Sequence, residues 1–138
     1  MNENICKENF IHILYAEYNS VPSLRRDEIK IGLEKKGFLV TLIKDDFEWN
    51  NIKYETIDIA IIDGRTGEKP HPKSMQRNSI FEYLKSIYIP IIYFSWGCSN
   101  INSSFVKQRA VEFIYKDTET YNNLEELNEK INTLVTRK

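Results

Sequence analysis

Five short apolar bursts, each rich in β-branched or aromatic residues, set the strongest constraint on how this chain folds. They are Phe10–Ala16 (FIHILYA), Phe38–Ile43 (FLVTLI), Ile57–Ile62 (IDIAII), Ile89–Phe94 (IPIIYF) and Val111–Tyr115 (VEFIY). Strands buried on both faces read as continuous apolar runs of this kind, and such strands belong to parallel sheets. Parallel neighbours need crossovers, usually helical, and the intervening segments carry helical patterns. Ser23–Lys36 places Leu24, Ile29, Ile31 and Leu33 at helical spacings, with Ser23 as cap and Gly37 where the helix stops. Ile80–Ile87 turns Ile80, Phe81, Leu84 and Ile87 inward, and Asn102–Arg109 is a further helical stretch. Leu124–Arg137 aligns Leu124, Leu127, Ile131, Leu134 and Val135 on one stripe, with Asn123 and Glu126 as a capping pair. Asp46–Tyr54 fits either a short helix or an irregular crossover. The alternation predicts an α/β, flavodoxin-like (βα)5 three-layer sandwich around a five-stranded parallel sheet in the order 2-1-3-4-5.

With 138 residues the pattern occupies one domain, its core running from about residue 10 to 137. Nineteen Lys and Arg against 20 Asp and Glu, a net charge of −1, argue against a dedicated nucleic-acid binder and against a polybasic membrane protein. Two cysteines, Cys6 and Cys98, make no disulfide framework and suit a reducing compartment. The polar start MNENICKEN has no apolar signal region, and no apolar run approaches the roughly 20 residues that cross a bilayer. The expectation is a soluble cytoplasmic domain.

In open α/β sheets the site lies at the carboxyl ends of the strands, near the switch in strand order. The strand-end residues are Glu17, Tyr18 and Asn19; Asp45 and Asp46; Asp63; Ser95 and Trp96; and Lys116 and Asp117. In the order 2-1-3-4-5 the first, third and fourth strands are central. Glu17, Asp63 and Ser95 should therefore converge, with Lys116 reaching in from the fifth. Two acids, a hydroxyl and a lysine around one hollow suit a divalent cation and an anionic group held together.

This constellation resembles the receiver domain of two-component response regulators over most of the chain, most closely in the second half. SIFEYLKSIYIPIIYFS resembles that family's third helix and fourth strand, and AVEFIYKDTETYNNLEELNEKINTLV its fifth strand and closing helix. The intervals are 46 residues from Glu17 to Asp63, 32 to Ser95 and 21 to Lys116, close to the family's own. The resemblance implies that Asp63 is the phosphoacceptor, Ser95 the switch hydroxyl, Lys116 the phosphate-pairing lysine and Phe113 the rotating aromatic. Glu17 and Asp63 would hold Mg2+. The implied partners are proteins: a kinase, a phosphotransfer protein or a downstream effector. They would read the face made by 102–109, the fifth strand and the closing helix, which would also serve a homodimer. A receiver-like fold needs nearly all 138 residues, so the expected output is a surface that another protein reads.

The chain departs from the family at four places. Glu17-Tyr18 stands where receivers carry two adjacent acids, and losing one carboxylate weakens a hard-cation site. Trp96, rather than a small residue, follows the switch hydroxyl and would gate the site. Asp117 replaces the usual proline after the lysine, and the segment Gly64–Asn78 replaces a short turn. Together they describe an atypical receiver, with phosphorylation of Asp63 and Mg2+ binding both in question. The plainer alternatives are that Asp63 caps the turn after its strand and that Lys116 neutralises it as a buried ion pair.

Gly64–Asn78 (GRTGEKPHPKSMQRN) shows no periodicity and carries Arg65, Lys69, Lys73 and Arg77. It reads first as a solvated loop, and second as an anion or partner contact beside Asp63. His12 reads as a packed strand histidine and His71 as a loop residue, neither with a nucleophile near in sequence. Trp49, Tyr93 and Tyr115 read as core or sheet-rim aromatics, and Phe113 serves equally as core. YAEYNSVPSLRRDEIKIGLEKKGFLVTLIKDD with IDIAIIDG is also loosely similar to the nucleoside deoxyribosyltransferase-like and TIR-like enzymes. In that case Glu82 or Glu17 would be the nucleophile or acid.

Overall fold

A computed structural model describes residues 10–18, 23–96, 112–116 and 120–136. The strands are β1 (His12–Ala16), β2 (Leu39–Ile43), β3 (Ile59–Asp63), β4 (Ile91–Trp96) and β5 (Glu112–Lys116). They form one sheet in the order β2-β1-β3-β4-β5, every pairing parallel. The helices are α1 (Ser23–Lys35), the single turn α2 (Gly64–Gly67), α3 (Ile80–Ser86) and α4 (Thr120–Thr136). Asp46–Asn51 and Tyr54–Thr56 are 3-10 turns, which resolves the ambiguous crossover.

Period-two alternation sends each central strand's side chains to two separate cores. Ile13, Tyr15, Ile59, Ile61, Ile92, Phe94 and Ile114 pack against Ile29 and Leu33 of α1 and Leu127, Ile131 and Leu134 of α4. Leu14, Ala16, Ala60, Ile62, Ile91 and Tyr93 pack against Ile80, Phe81 and Leu84 of α3 and against Trp49. The three-layer sandwich is therefore as expected.

Several local expectations need correction. Strands three to five sit one or two residues later than the apolar bursts suggest, because pairing sets the strand ends and apolarity does not. Ile31 is 51% exposed, since Ile29 and Leu33 already fill the inward face of α1. Asn123 is not a cap: α4 begins a turn earlier, and buried Asn123 accepts a hydrogen bond from Arg25 of α1. His12 is half-buried, its Nε2 2.8 Å from Thr41 Oγ1 on β2. The expected helix Asn102–Arg109, both cysteines, Asn19, Asp117 and the side chains of Leu24, Trp96 and Tyr115 lie outside the described residues.

The segment after β3 is not a loosely solvated loop. Pro70 and Ser79 form an isolated antiparallel bridge. His71 N donates to Asn78 O at 2.8 Å and Ile80 N to Lys69 O at 2.8 Å, which closes the segment on itself. His71 is buried and stacks on Tyr83 at 3.9 Å, with Trp49 at 4.7 Å. Its Nδ1 accepts from Lys73 N, so the proton sits on Nε2, 3.0 Å from Tyr54 Oη. Burial, and then the charge of Lys73, lower the His71 pKa to about 4.

Candidate functional site

Three strands end on charge. Glu17 follows β1 directly, Asp63 closes β3 and Lys116 closes β5. By strand alternation all three extend the rows that carry Tyr15, Ile61 and Ile114, so they share the α1/α4 side of the sheet. Lys116 Nζ lies 2.9 Å from Asp63 Oδ1 and 3.0 Å from Glu17 Oε2. Side-chain exposures are 3% for Lys116, 6% for Glu17 and 13% for Asp63, so of the three the aspartate reaches furthest toward solvent. The ammonium also lies 5.2 Å from the centroid of the Phe94 ring, where the π-face favours a cation.

Neighbours hold both carboxylates in place. Tyr15, two residues before Glu17 on the same strand face, donates its hydroxyl to Glu17 Oε1 at 2.5 Å. Burial and the adjacent Glu17 hold the Tyr15 phenol well above its usual pKa, so it stays a donor. Asp63 is the N-cap of α2: its Oδ2 accepts from Thr66 N at 3.3 Å and lies 3.5 Å from Thr66 Oγ1. Thr66 Oγ1 in turn accepts from Tyr18 N at 2.9 Å. Tyr18 itself links Asp46, at 2.7 Å, and Trp49 through its hydroxyl.

Ser95 sits differently. It pairs in register with Tyr115, one step beyond the Phe94–Asp63 pairing, so its side chain belongs to the opposite face, with Tyr93. A Cβ at residue 64 would meet Tyr93 Oη at 2.5 Å and Ser95 Oγ at 2.9 Å. Only glycine allows that approach immediately after Asp63. Tyr93 Oη is buried close to Ser95 and makes no well-formed hydrogen bond among the described residues, and burial raises its phenol pKa. Its ring stacks between Phe81 at 5.0 Å and Phe113 at 4.7 Å, so Phe113 belongs to an aromatic column.

The structure thus brings Glu17, Asp63 and Lys116 into one cluster and places Ser95 beside it, across Gly64. Trp96 pairs in register with Lys116, but its side chain lies outside the described residues. Arg65 and Lys73 are exposed, while Lys69 and Arg77 line a separate hollow whose walls include none of the three clustered residues. Glu82 is occupied at the start of α3. Its Oε1 accepts from Ser79 N at 3.3 Å, completing a capping box. Tyr15 and Thr66 were missed in the sequence. The period-two placement of Tyr15 and Glu17 on one strand was an available signal for the first.

The fold has solved counterparts. No protein-family profile and no curated protein matches the chain. A response regulator receiver domain protein from Clostridium thermocellum superposes with a TM-score of 0.65 at 24% identity, over 93% of this chain and 96% of that one. The receiver domain of the TMAO respiratory system response regulator TorR gives 0.66 at 17%, over 92% and 98%. The chain has the receiver-domain fold. A third receiver-type neighbour, an atypical orphan response regulator described as using a phosphorylation-independent mechanism, gives 0.58 at 18%, over 88% and 96%. Among the described residues no helix is long and apolar enough to cross a membrane.

The donor set fits Mg2+ in kind, since Glu17 and Asp63 offer hard carboxylate oxygens and magnesium keeps several waters of its own. No group of three or more His, Cys, Asp or Glu able to hold a metal occurs among the described residues. All four carboxylate oxygens are already engaged, two of them by the Lys116 ammonium. A cation here therefore competes with the Lys116 ammonium.

Proposed function

We propose that the chain is a receiver-like signalling module whose output is contact with a protein partner, and that Asp63 is the residue whose charge that contact reads. The supporting observation is the Lys116 ammonium, 2.9 Å from Asp63 Oδ1 and 3.0 Å from Glu17 Oε2 at the carboxyl ends of the strands. Lys116 holds Oδ1, while among the described residues Oδ2 has only the longer contacts to Thr66, and it belongs to the most exposed side chain of the three. Oδ2 is thus the oxygen suited to attack a phosphohistidine donor. The Oδ2–P bond forms as the donor's P–N bond breaks, and the departing imidazole keeps the electron pair. Lys116 then pairs with the new phosphoryl oxygens, as Arg and Lys do with phosphate. Mg2+ held by Glu17 and Asp63 would supply charge neutralisation on the phosphoryl oxygens.

One observation favours a second version, in which the site never turns over. Glu17 is engaged by both Lys116 and Tyr15, and Tyr18 stands where a second acid would be. The cluster is then a structural ion pair, and the partner face is constitutive.

Treatment with acetyl phosphate and Mg2+, followed by intact-mass spectrometry, separates the versions. One phosphoryl group gained, and lost in Asp63→Asn, supports turnover. No gain in mass, together with undiminished partner capture by Asp63→Asn, supports the constitutive version. Release of free base or of nicotinamide from nucleosides or dinucleotides, abolished by Glu82→Ala or Glu17→Ala, would overturn the signalling reading altogether.

A further inference from the structure

The basic segment after β3 builds a hollow of its own. Its volume is about 400 Å³ and its walls include Lys69, His71, Ser74, Arg77 and, from the turn after β2, Asp46. That volume falls within the range of about 300–1,000 Å³ typical of small-molecule sites. The walls are built and held. The bridge between Pro70 and Ser79 closes the segment, Ser74 Oγ accepts from Asn78 N at 2.9 Å, and buried His71 anchors it among Trp49, Tyr54 and Tyr83. Arg77 is held at a φ of 60°, a region in which a long side chain is strained.

The polar groups of this hollow are divided by chemistry. Neither the Lys69 nor the Arg77 side chain has a hydrogen-bond or ion-pair partner among the described residues, and against these two cations the lining carries one carboxylate, Asp46. The hydroxyl proton of Ser74 is free to donate, since its oxygen accepts the Asn78 amide. Asp46 has Oδ1 bonded to Tyr18 Oη at 2.7 Å, which orients the carboxylate. Two cations and a hydroxyl donor suit a phosphate monoester. A fixed carboxylate repels phosphate but accepts hydrogen bonds from alcohols. Pro70 and Pro72 add apolar wall.

We propose that this hollow binds a small sugar phosphate, with Lys69, Ser74 and Arg77 on the phosphoryl group and Asp46 on a sugar hydroxyl. The site is separate from the Glu17–Asp63–Lys116 cluster, and the inference does not depend on the signalling role of Asp63.

Titration of the full chain with ribose 5-phosphate, inorganic phosphate or ribose, followed by amide NMR shifts over residues 69–78, tests the assignment. Saturable shifts are expected with ribose 5-phosphate, at an affinity about tenfold above that of either fragment. Arg77→Gln and Lys69→Gln each weaken binding about tenfold, the scale of one charge-assisted hydrogen bond. Asp46→Asn brings ribose 5-phosphate down to the affinity of inorganic phosphate. Asp63→Asn and the exposed control Lys53→Gln leave binding unchanged. Unchanged thermal midpoints in the hollow variants show that they are folded. The proposal is overturned if ribose 5-phosphate gives no saturable shift at millimolar concentration or binds no tighter than phosphate. It is equally overturned if Asp46→Asn strengthens binding, or if Asp63→Asn or Lys53→Gln abolishes it.

Discussion

Replacing Lys116 with methionine keeps most of the unbranched side chain, one atom shorter, and removes its charge. Two carboxylates, 6% and 13% exposed, then face each other with no cation between them. Removing one partner of a buried ion pair costs about 3–5 kcal/mol, because the remaining charge stays buried and unpaired. Lys30 and Glu34 on α1 provide an internal control. Their separation is 2.8 Å, at least as short as either Lys116 contact, but their side chains are 31% and 41% exposed. Lys30→Met should therefore cost only about 0.3–0.5 kcal/mol, the usual worth of an exposed i,i+4 pair. Urea denaturation reads both. With a slope of about 2 kcal/mol per molar urea, Lys116→Met lowers the midpoint by about 1.5–2.5 M and Lys30→Met by about 0.2 M. Adding Asp63→Asn to Lys116→Met should restore part of the loss, because one of the two stranded charges is gone. Equal midpoint shifts for the two lysine variants would refute the reasoning, since burial and not distance is what separates them.

Four further outcomes follow from particular contacts. Gly64→Ala should destabilise the protein by about 1–3 kcal/mol by thermal melting, since its methyl meets Tyr93 Oη and Ser95 Oγ. Tyr93→Phe, which deletes a buried hydroxyl with no well-formed hydrogen bond among the described residues, should be close to neutral alone and should rescue part of that loss. His71 has its pKa lowered to about 4 in the fold, against 6.5 as the ordinary value. The unfolded chain therefore takes up the proton first, and stability from this residue is present above about pH 6.5 and lost as pH falls toward 4. His71→Gln should flatten the stability profile across that window, as urea midpoints at several pH values will show. Ser79→Ala breaks the capping box of α3 and should cost about 1 kcal/mol in the same assay.

Much of the fold was legible because parallel strands buried on both faces leave uninterrupted apolar runs. Ile59–Asp63 is buried at every position, and the alternation with helices pointed to parallel pairing. Asp63 and Lys116 were legible for a related reason: charge at the end of an apolar run has few places to go. The aromatic box around His71 was not legible, because its members come from residues 49, 54, 71 and 83, on four different segments with no common period. Asn123 was misread for a similar reason. A polar residue before a hydrophobic stripe looks like a cap, and nothing in the local sequence announces the hydrogen bond from Arg25 of α1 that meets it inside α4. The basic residues after β3 appeared to crowd Asp63 because they follow it in sequence. The 69–80 closure turns Lys69 and Arg77 to their own hollow instead.

A single oxygen, Thr66 Oγ1, fastens the exit of β1 to the exit of β3: it accepts from Tyr18 N and sits beside Asp63 Oδ2. For the drift of this sequence over generations, that shared atom is a restriction. Serine can stand at position 66 and keep both attachments, whereas valine, nearly the same in shape, loses both contacts of the hydroxyl at once and leaves only the residue 66 N–H on Asp63. The residues around Tyr18 and those around Asp63 therefore cannot wander independently. A substitution that shifts one exit must be answered at the other, even though 45 positions separate them along the chain.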